Sequence, residues 1–526
     1  MVEMQSDDRN IAAKQGFASI LFAEGESVTD FGTYENTDTA YDLNLEQIFA
    51  SILTGFEEYD LRDYFLRPLT TQPESIRYRQ QVMHDTQQEP IGACLHEFAA
   101  QMRDMRATLT LRSTIRHELQ QQIRLLEAAC VYIAALRQLH QALSLCQPMS
   151  KGLRGFLNDA QNYLASTTFL DFERQTLAVR QALAAVRYSL DIDGRRVKVS
   201  DYEEHPDFGA DIQQTFAKFQ ETEGKRYKFE FHGYPEMNHV EAEILDRVAR
   251  LNASPFDALR EFATRHSDFV DETLARFDRE IHFYLSYVAF MRRISAAGHS
   301  FCCPEITTEG KDIFALQATN VALADQQIAE RKTTVPNSFE LSGAERILVV
   351  SGPNQGGKTT FARMFGQLHY LAALGCYVPA RKARLYLFDR LYTHFEREEK
   401  VQNLAGKLEE DLMRMHQILE NATGRSILVM NESLLATTLE DALFLSQQVL
   451  NKVIANDMLC LTVTFLDELS TFSPQTVSMV SELVDESTSE RSFKIVRRPA
   501  DGRAYALAVA EKYGLSYEAL ERRIEA

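Results

Sequence analysis

The chain has 526 residues, of which 45% are hydrophobic and 25% are charged. This length is enough for two to four domains, and the composition excludes a collagen, a coiled-coil rod and a fully disordered chain. The 56 Lys and Arg residues against 75 Asp and Glu leave a formal net charge of −19 at pH 7. That balance argues against a protein covered by nucleic acid, because phosphate contacts need a local excess of cations.

The charge is unevenly distributed along the chain. Residues 1–60 contain 13 acidic residues and only two basic ones, whereas residues 101–200 contain 14 Lys or Arg and 8 Asp or Glu. One basic stretch therefore lies on an acidic protein, which leaves room for one nucleic-acid-binding face. The N-terminus lacks a signal-peptide pattern and no apolar run reaches about 18 residues, so we expect a cytoplasmic protein without membrane partners.

Four kinds of segment follow one another. Residues 1–45 are acidic and weakly periodic, and predict a poorly ordered N-terminal arm with room for one short helix. Apolar residues recur at three- and four-residue spacing over 46–188 and 236–300, the pattern of long amphipathic helices. Residues 189–235 between them alternate in character and contain an Asp-Gly turn, which predicts a small β-rich tip. Residues 301–526 alternate short apolar runs with helices, as α/β domains do.

The predicted fold is therefore multidomain. A mainly α-helical region carries a small β-rich insertion and is followed by an α/β domain.

A glycine-rich loop lies in the segment ILVVSGPNQGGKTTF at 347–361. Its first four residues predict a buried parallel strand, and helical spacing follows the loop. Residues 352–359 fit G-x-x-x-x-G-K-[ST], in which backbone N–H groups and a helix N-terminus converge on phosphate. We predict that Lys358 reaches the β- and γ-phosphates of ATP and that the Thr359 hydroxyl ligates Mg²⁺. The predicted nucleotide-binding residues are Gly352, Pro353, Asn354, Gln355, Gly356, Gly357, Lys358, Thr359 and Thr360.

GPNQGGKTT resembles the GPNxGGKST loop of the MutS family of DNA mismatch-repair ATPases, a branch of the ABC-type ATPases. Further segments similar to that family are VPN at 335–337, GCYVPA at 375–380, DRLYT at 389–393, AYALAVA at 504–510 and PLT…PESIRYRQ at 68–80. The resemblance implies an ABC-type P-loop ATPase domain over 301–526 that forms a homodimer around ATP. It also implies core and lever helices with a clamp at their tip, which would embrace double-stranded or branched DNA.

The segment SILVMNESLLATTLEDA departs from the family's pattern. The resemblance places Asn431 where the family has its metal-orienting Asp, and Glu432 where it has the catalytic carboxylate that orients water. The implied catalytic residues are Lys358 and Glu432, and the implied metal-binding residues are Thr359 and Asn431. An uncharged Asn predicts weaker Mg²⁺ binding, and Phe465 in the place of the family's switch His adds to the expectation of slow hydrolysis.

The family's glycine-rich turn after the catalytic carboxylate is replaced here by Ser-Leu-Leu-Ala at 433–436. In the family, a Ser in another segment reaches the nucleotide that is bound by the partner subunit. The corresponding residues of this chain, 405–409, include no Ser. A rival interpretation assigns the metal site to Asp467-Glu468, which also follow an apolar strand.

Family members that detect mismatches carry an N-terminal domain with a Phe-x-Glu wedge. Phe22-Ala23-Glu24 matches this pattern, but Phe and Glu are common in the chain, and an acidic segment is poorly suited to phosphate. We therefore interpret the match as chance and expect no mismatch recognition of that kind.

Six basic residues flank the predicted β tip, and aromatic residues are interleaved with them. One hypothesis is that they contact the DNA backbone without sequence preference. The alternative is a solvated hairpin edge on which cations discourage strand pairing. The candidate DNA-contacting residues are Arg195, Arg196, Lys198, Lys225, Arg226 and Lys228.

The sequence also allows an alternative function, in which an ATP-binding scaffold with poor hydrolysis holds a protein partner.

Overall fold

The computed structural model describes residues 17–23, 37–66, 72–194, 196–202, 237–396, 406–485 and 490–500. The chain folds into two compact units. The first is built from residue 17 and the described residues within 93–147 and 155–278, and the second from residues within 18–92, 148–154 and 279–500.

The first unit is helical. Aromatic side chains stack in its core, where the ring centroids of Phe156 and Phe277 lie 3.4 Å apart and the two rings are almost parallel. Side chains cap several helices, and the Asn238–Glu241 pair forms a full capping box. Its helices, two of which begin in the second unit, are α5 (Glu89–Thr114), α6 (Glu118–Cys146), α7 (Lys151–Leu164), α8 (Thr167–Ala184), α9 (His239–Leu251) and α10 (Ala253–Arg265).

A two-stranded antiparallel hairpin follows α8. It consists of β1 (Tyr188–Asp193) and β2 (Arg196–Asp201). Gly194 has a φ of +58°, the left-handed conformation for which the Asp-Gly turn was a signal. The hairpin lies at the start of the predicted β-rich tip, and 203–236 fall outside the described residues.

Two sheets and their helices form the second unit. Its smaller sheet has the order β3-β7-β4-β5, with strands β3 (Glu305–Thr307), β4 (Ile313–Ala318), β5 (Asn337–Leu341) and β7 (Lys382–Tyr386). Helices of this unit are α1 (Thr37–Asp42), α2 (Leu45–Leu53), α3 (Arg62–Leu66), α4 (Pro73–Gln87), α11 (Glu272–Ala296, which begins in the first unit), α12 (Val321–Glu330), α13 (Lys358–Ala373), α14 (Lys407–Asn421) and α15 (Leu439–Ala455). Short 3₁₀ turns span Glu57–Tyr59 and Asp467–Thr471.

The larger sheet of the second unit has the order β12-β11-β6-β10-β9-β8. Its strands are β6 (Ile347–Ser351), β8 (Leu391–Phe395), β9 (Ile427–Asn431), β10 (Leu459–Val463), β11 (Thr476–Asp485) and β12 (Glu490–Arg497). All pairings are parallel except that of the edge strand β12. Four of these strands are buried at every position, as near-continuous apolar runs predict. Because the strands are parallel, the residues that follow β6, β8, β9 and β10 meet at one edge.

Residues 18–23 pack inside the second unit, which corrects the expectation of a poorly ordered arm at this point. The buried carboxylate of Glu280 accepts hydrogen bonds from the Ser19 hydroxyl at 2.8 Å and from the next backbone N–H at 2.9 Å. Phe22 is only 3% exposed. Its ring is therefore core packing and not a wedge presented to DNA, in agreement with the interpretation of the Phe-x-Glu match as chance.

Within the described ranges, no helix is both long and apolar enough to cross a bilayer.

Candidate functional site

The glycine-rich loop joins β6 to α13 and is packed against β11. Gly352 has a φ of +120°, and a Cβ on it would lie 3.1 Å from the backbone nitrogen of Ser481. A Cβ on Gly356 would lie 2.3 Å from the Ser481 hydroxyl, which donates a 2.8 Å hydrogen bond to the Gly356 carbonyl. Both glycines are thus required by close approach to the neighbouring strand. The packing fixes the loop in front of the N-terminus of α13, which begins at Lys358.

A cavity of about 410 Å³ opens at this loop. It brings six of the nine predicted nucleotide-binding residues together with Glu432, which follows a different strand. Its lining residues are Leu323, Gln327, Thr333, Thr334, Val335, Asn337, Asn354, Gln355, Gly357, Lys358, Thr359, Thr360, Glu432 and Phe493. The volume suits a small organic ligand. Together with the phosphate-loop motif, this predicts a nucleotide as the occupant.

Lys358 is folded back onto its own loop. Its ammonium donates to the carbonyl of Gly352 at 2.7 Å and to that of Pro353 at 3.2 Å. The same nitrogen lies 4.4 Å from the centroid of the Phe465 ring. The side chain is 4% exposed, so its charge is stabilised by these contacts more than by water.

Glu432 immediately follows β9 and has a left-handed backbone with a φ of +53°. Its N–H donates to the carbonyl of Val463 on β10 at 3.0 Å. Burial raises the pKa of Glu432 above its ordinary value, and the positive charge of Lys358 partly opposes that rise. The carboxylate therefore lies within the electrostatic reach of the loop lysine.

Asn431 is the last residue of β9 and is buried. Its side-chain Oδ1 is enclosed and has no hydrogen-bond partner among the described residues. A buried amide oxygen without a donor suits a metal ion or a metal-bound water as its partner. The amide oxygen of Asn431 and the hydroxyl oxygen of Thr359 are both uncharged oxygen ligands, which hard cations such as Mg²⁺ accept.

The rival pair lies elsewhere. Asp467 and Glu468 are in the 3₁₀ turn that starts four residues after β10, and neither is among the described residues that line the cavity. Within the described part of the chain, no cluster of three or more His, Cys, Asp or Glu side chains could hold a metal ion. The geometry thus brings Glu432, and not the rival pair, to Lys358.

A hydrogen-bonded anchor behind Glu432 was not identified from the sequence. The Ser433 hydroxyl donates to the His394 carbonyl at 2.8 Å, and the same hydroxyl lies 2.9 Å from His394 Nδ1. His394 Nε2 lies 3.2 Å from the backbone carbonyl of Asp411 on α14. These contacts join residues 39 and 17 positions apart, and they depend on β8 and β9 being neighbours, which residue spacing does not reveal.

The Asn of the VPN segment, Asn337, lines the cavity and positions a second lining residue, Phe493. Asn337 donates from its side chain to the Phe493 carbonyl at 3.1 Å and accepts from the Ile495 N–H at 2.7 Å. This bidentate contact joins β5 to β12 across two sheets. It holds Phe493, which is exposed and has a φ of +56°, at the cavity wall.

The described basic residues of the tip face acids across the hairpin. Arg196 pairs with Asp193, and Lys198 pairs with Asp191, in the register of β1 and β2. Directly opposed residues share one face of the hairpin, so the four charges on this face cancel. Arg195, Lys225, Arg226 and Lys228 lie outside the described residues. The described part of the tip therefore favours the solvated-edge alternative over a basic DNA-binding face.

Comparison with known proteins gives one consistent result. The family model described as MutS domain V matches residues 348–525. The endonuclease MutS2 of Thermus thermophilus is 32% identical over 190 residues, which cover 36% of this chain and 25% of that protein. The DNA mismatch repair protein MutS of Thermotoga maritima is 27% identical over 314 residues, 55% of this chain and 37% of that protein. The chain thus spans about a quarter to two fifths of the length of these curated relatives.

Proposed function

The chain belongs to the MutS family, and on this premise we propose that it is an ATP-dependent switch protein that acts on DNA. The supporting observation is the cavity in which a buried lysine, a threonine at a helix N-terminus and a carboxylate from another strand meet. Lys358 and Thr359 bind the nucleotide, and Glu432 serves its hydrolysis.

The phosphates of ATP bind at the loop. The N–H groups of the loop and of the first turn of α13 donate to phosphate oxygens, and Lys358 neutralises their charge. The exposed Phe493 ring lines the cavity next to Gly357 and offers an apolar face on which a nucleobase stacks. Burial of the site strengthens each of these electrostatic contacts.

Thr359 and Asn431 hold Mg²⁺, which supplies charge neutralisation of the β- and γ-phosphate oxygens when it is bound. The orphaned Oδ1 of Asn431 supports this role. Because the amide is neutral, we expect weaker Mg²⁺ binding than an Asp at this position would give.

Glu432 accepts a hydrogen bond from the attacking water and orients it. The raised pKa of this carboxyl makes it a stronger base than an ordinary Glu. The slow hydrolysis that we propose follows from the neutral Asn431 and from Phe465, whose side chain offers a phosphate oxygen no hydrogen-bond donor.

The ATPase region, an ABC-type P-loop domain in this proposal, forms a homodimer when ATP binds. The exposed apolar side chain of Phe444 on α15, which is 59% accessible, is a candidate contact of this homodimer. ATP-driven dimerisation moves the helical arms between states that hold and release double-stranded or branched DNA. The names of the relatives, mismatch repair proteins and an endonuclease, support DNA as the partner.

A second candidate is an ATP-binding scaffold with little hydrolysis, whose arms bind a protein. The cancelled charges of the hairpin face and the neutral Asn431 favour it. The two candidates differ in what stimulates turnover.

Steady-state ATPase activity with and without duplex, mismatched and branched DNA distinguishes them. The DNA-switch function predicts turnover that DNA stimulates in the wild type and that is lost in Lys358→Ala. Tight ATP binding with negligible turnover, unaffected by any of these DNAs and without DNA retention at low salt, would instead support the scaffold.

A further inference from the structure

The ring of Phe465 holds the loop lysine in a position that a phosphate has to disturb. Lys358 Nζ lies 4.4 Å from the ring centroid, within the range of a strong cation–π contact. An ammonium has three donors. Two of them are directed at the carbonyls of Gly352 and Pro353, and the ring covers the nitrogen from a further side. The lysine is thus satisfied by its own surroundings before a ligand arrives.

The sheet fixes the position of the ring. Thr464 follows β10 and donates its N–H to the carbonyl of Val350 at the end of β6 at 3.0 Å. The Thr464 hydroxyl in turn accepts the N–H of Leu466 at 3.0 Å. Phe465 is therefore held between two anchored residues at the strand edge from which the glycine-rich loop emerges. Its side chain is nevertheless 44% exposed, so the ring lies at the boundary between the lysine and solvent.

A phosphate competes with these partners for the same ammonium. The face of an aromatic ring carries partial negative charge, so it attracts a cation and repels a phosphate oxygen that approaches over it. Binding of a nucleotide therefore requires Lys358 to exchange the ring for phosphate. Since Lys358 is nearly inaccessible to water, the lost contact is not replaced by hydration during this exchange.

We propose that Phe465 sets the nucleotide affinity of this site by holding Lys358 in a resting contact that the phosphates displace. The proposal rests on the proposed nucleotide-binding function. It gives Phe465 a role of its own as an affinity-determining residue. It also accounts for an aromatic side chain that is half exposed beside a charged loop, where packing alone does not require one.

The test is the affinity for ADP and for a non-hydrolysable ATP analogue with Mg²⁺, measured by calorimetry. Phe465→Leu keeps apolar bulk without a π face, and we expect it to bind both nucleotides roughly 3- to 10-fold more tightly than the wild type. Phe465→Tyr retains the π face and is the matched control, with an affinity close to that of the wild type.

A second series separates the cation–π contact from packing. Phenylalanine with one, two or three fluorine atoms at position 465 has the same shape but a progressively less negative ring face. The affinity should rise stepwise with each fluorine. A purely structural role of the ring would leave the affinity constant along this series.

The outcomes separate the two proposals. A Leu variant that binds no more tightly than the wild type, or a flat fluorine series, would overturn the resting contact and leave the nucleotide site standing. If neither the wild type nor the Leu variant binds nucleotide, the nucleotide site is wrong and the resting contact is overturned with it.

Discussion

Asn431 is the residue at which this chain departs most clearly in charge from the pattern it resembles. Its buried Oδ1 has no partner among the described residues, and it directly precedes Glu432. An amide can remain buried without a counter-charge at modest cost, whereas a carboxylate there would need a cation. We infer that the site is built to stay folded without metal and to bind Mg²⁺ together with the nucleotide.

Asn431→Asp should therefore make the site depend on metal. With ATP present, we expect the apparent Mg²⁺ affinity to rise about 10-fold because a charged ligand then joins the Thr359 hydroxyl, and hydrolysis to accelerate. Without Mg²⁺ the variant should unfold at a lower temperature, because a carboxylate is then buried without a cation. Mg²⁺ titration of ATPase activity and thermal unfolding measure these effects. Asn421→Asp, on the exposed end of α14, is the control.

An unchanged Mg²⁺ dependence in Asn431→Asp would show that β9 does not carry the metal site. Asp467→Asn, which removes a carboxylate from the rival pair, would then be the next experiment.

Glu432 illustrates the cost of a functional carboxylate. Its folded-state pKa is raised by burial, so ionisation at neutral pH opposes folding. Glu432→Gln removes that penalty, and we expect a higher unfolding temperature at pH 8 together with loss of hydrolysis. As pH falls through the raised folded pKa and then the unfolded one, the native carboxyl becomes protonated. The advantage of the variant should therefore fade in acid. A thermal gain that is equal at pH 8 and pH 4 would contradict this assignment.

The turn after β9 is the element on which the position of Glu432 depends. Glu432 and Leu434 have φ values of +53° and +61°, a conformation that costs about 1–2 kcal/mol for a residue with a side chain. Glycines would relieve this strain, and here they are absent. The buried Leu434 side chain and the Ser433–His394 contact stabilise the turn instead.

Ser433→Ala should loosen this turn without touching the nucleotide. We expect turnover to fall about 3- to 10-fold, since one hydrogen bond is worth about 1 kcal/mol, while the nucleotide dissociation constant stays the same. Steady-state ATPase activity and calorimetry measure the two quantities. Ser295→Ala, at an exposed position of α11, is the control. A loss of affinity at unchanged turnover would mean that Ser433 acts on binding and not through Glu432.

The sequence predicted the residues of the candidate site better than the hydrogen bonds that hold them in place. The glycine-rich loop and the residues that end β9 were found because each is a contiguous signal, a motif or a strand end. The anchor of Ser433 by His394 was missed because it needs the strand order, which spacing does not encode. The two interpretations of the tip were left open by the sequence for a related reason. Counting its cations ignores the hairpin register, which sets Asp191 and Asp193 opposite Lys198 and Arg196.

At the scale of the whole molecule, the acidic balance and the exposed apolar groups of α15 bear on assembly. A net charge of −19 keeps copies of the chain apart in the absence of a specific interface. Phe444 offers an exposed apolar side chain on α15. In the proposed mechanism, ATP overcomes the repulsion by adding contacts across two such surfaces.

Phe444→Glu should therefore abolish ATP-dependent dimerisation, because it places a charge on each side of the interface. Sedimentation with a non-hydrolysable ATP analogue should give a dimer for the wild type and a monomer for the variant. Leu316→Glu, a similar change at a half-exposed position of β4, should dimerise like the wild type. Dimers in Phe444→Glu would place the interface elsewhere.

The central claim is that the cavity between the glycine-rich loop and Glu432 binds ATP. Equilibrium binding of an ATP analogue with Mg²⁺ to the wild type and to Lys358→Ala tests it most directly, with circular dichroism to verify that both proteins are folded. We predict a single saturable site per chain in the wild type and a loss of affinity of at least about 100-fold in the variant, since a buried charge-assisted contact to phosphate is removed. Equal binding by the two folded proteins, or none by the wild type, would contradict the account.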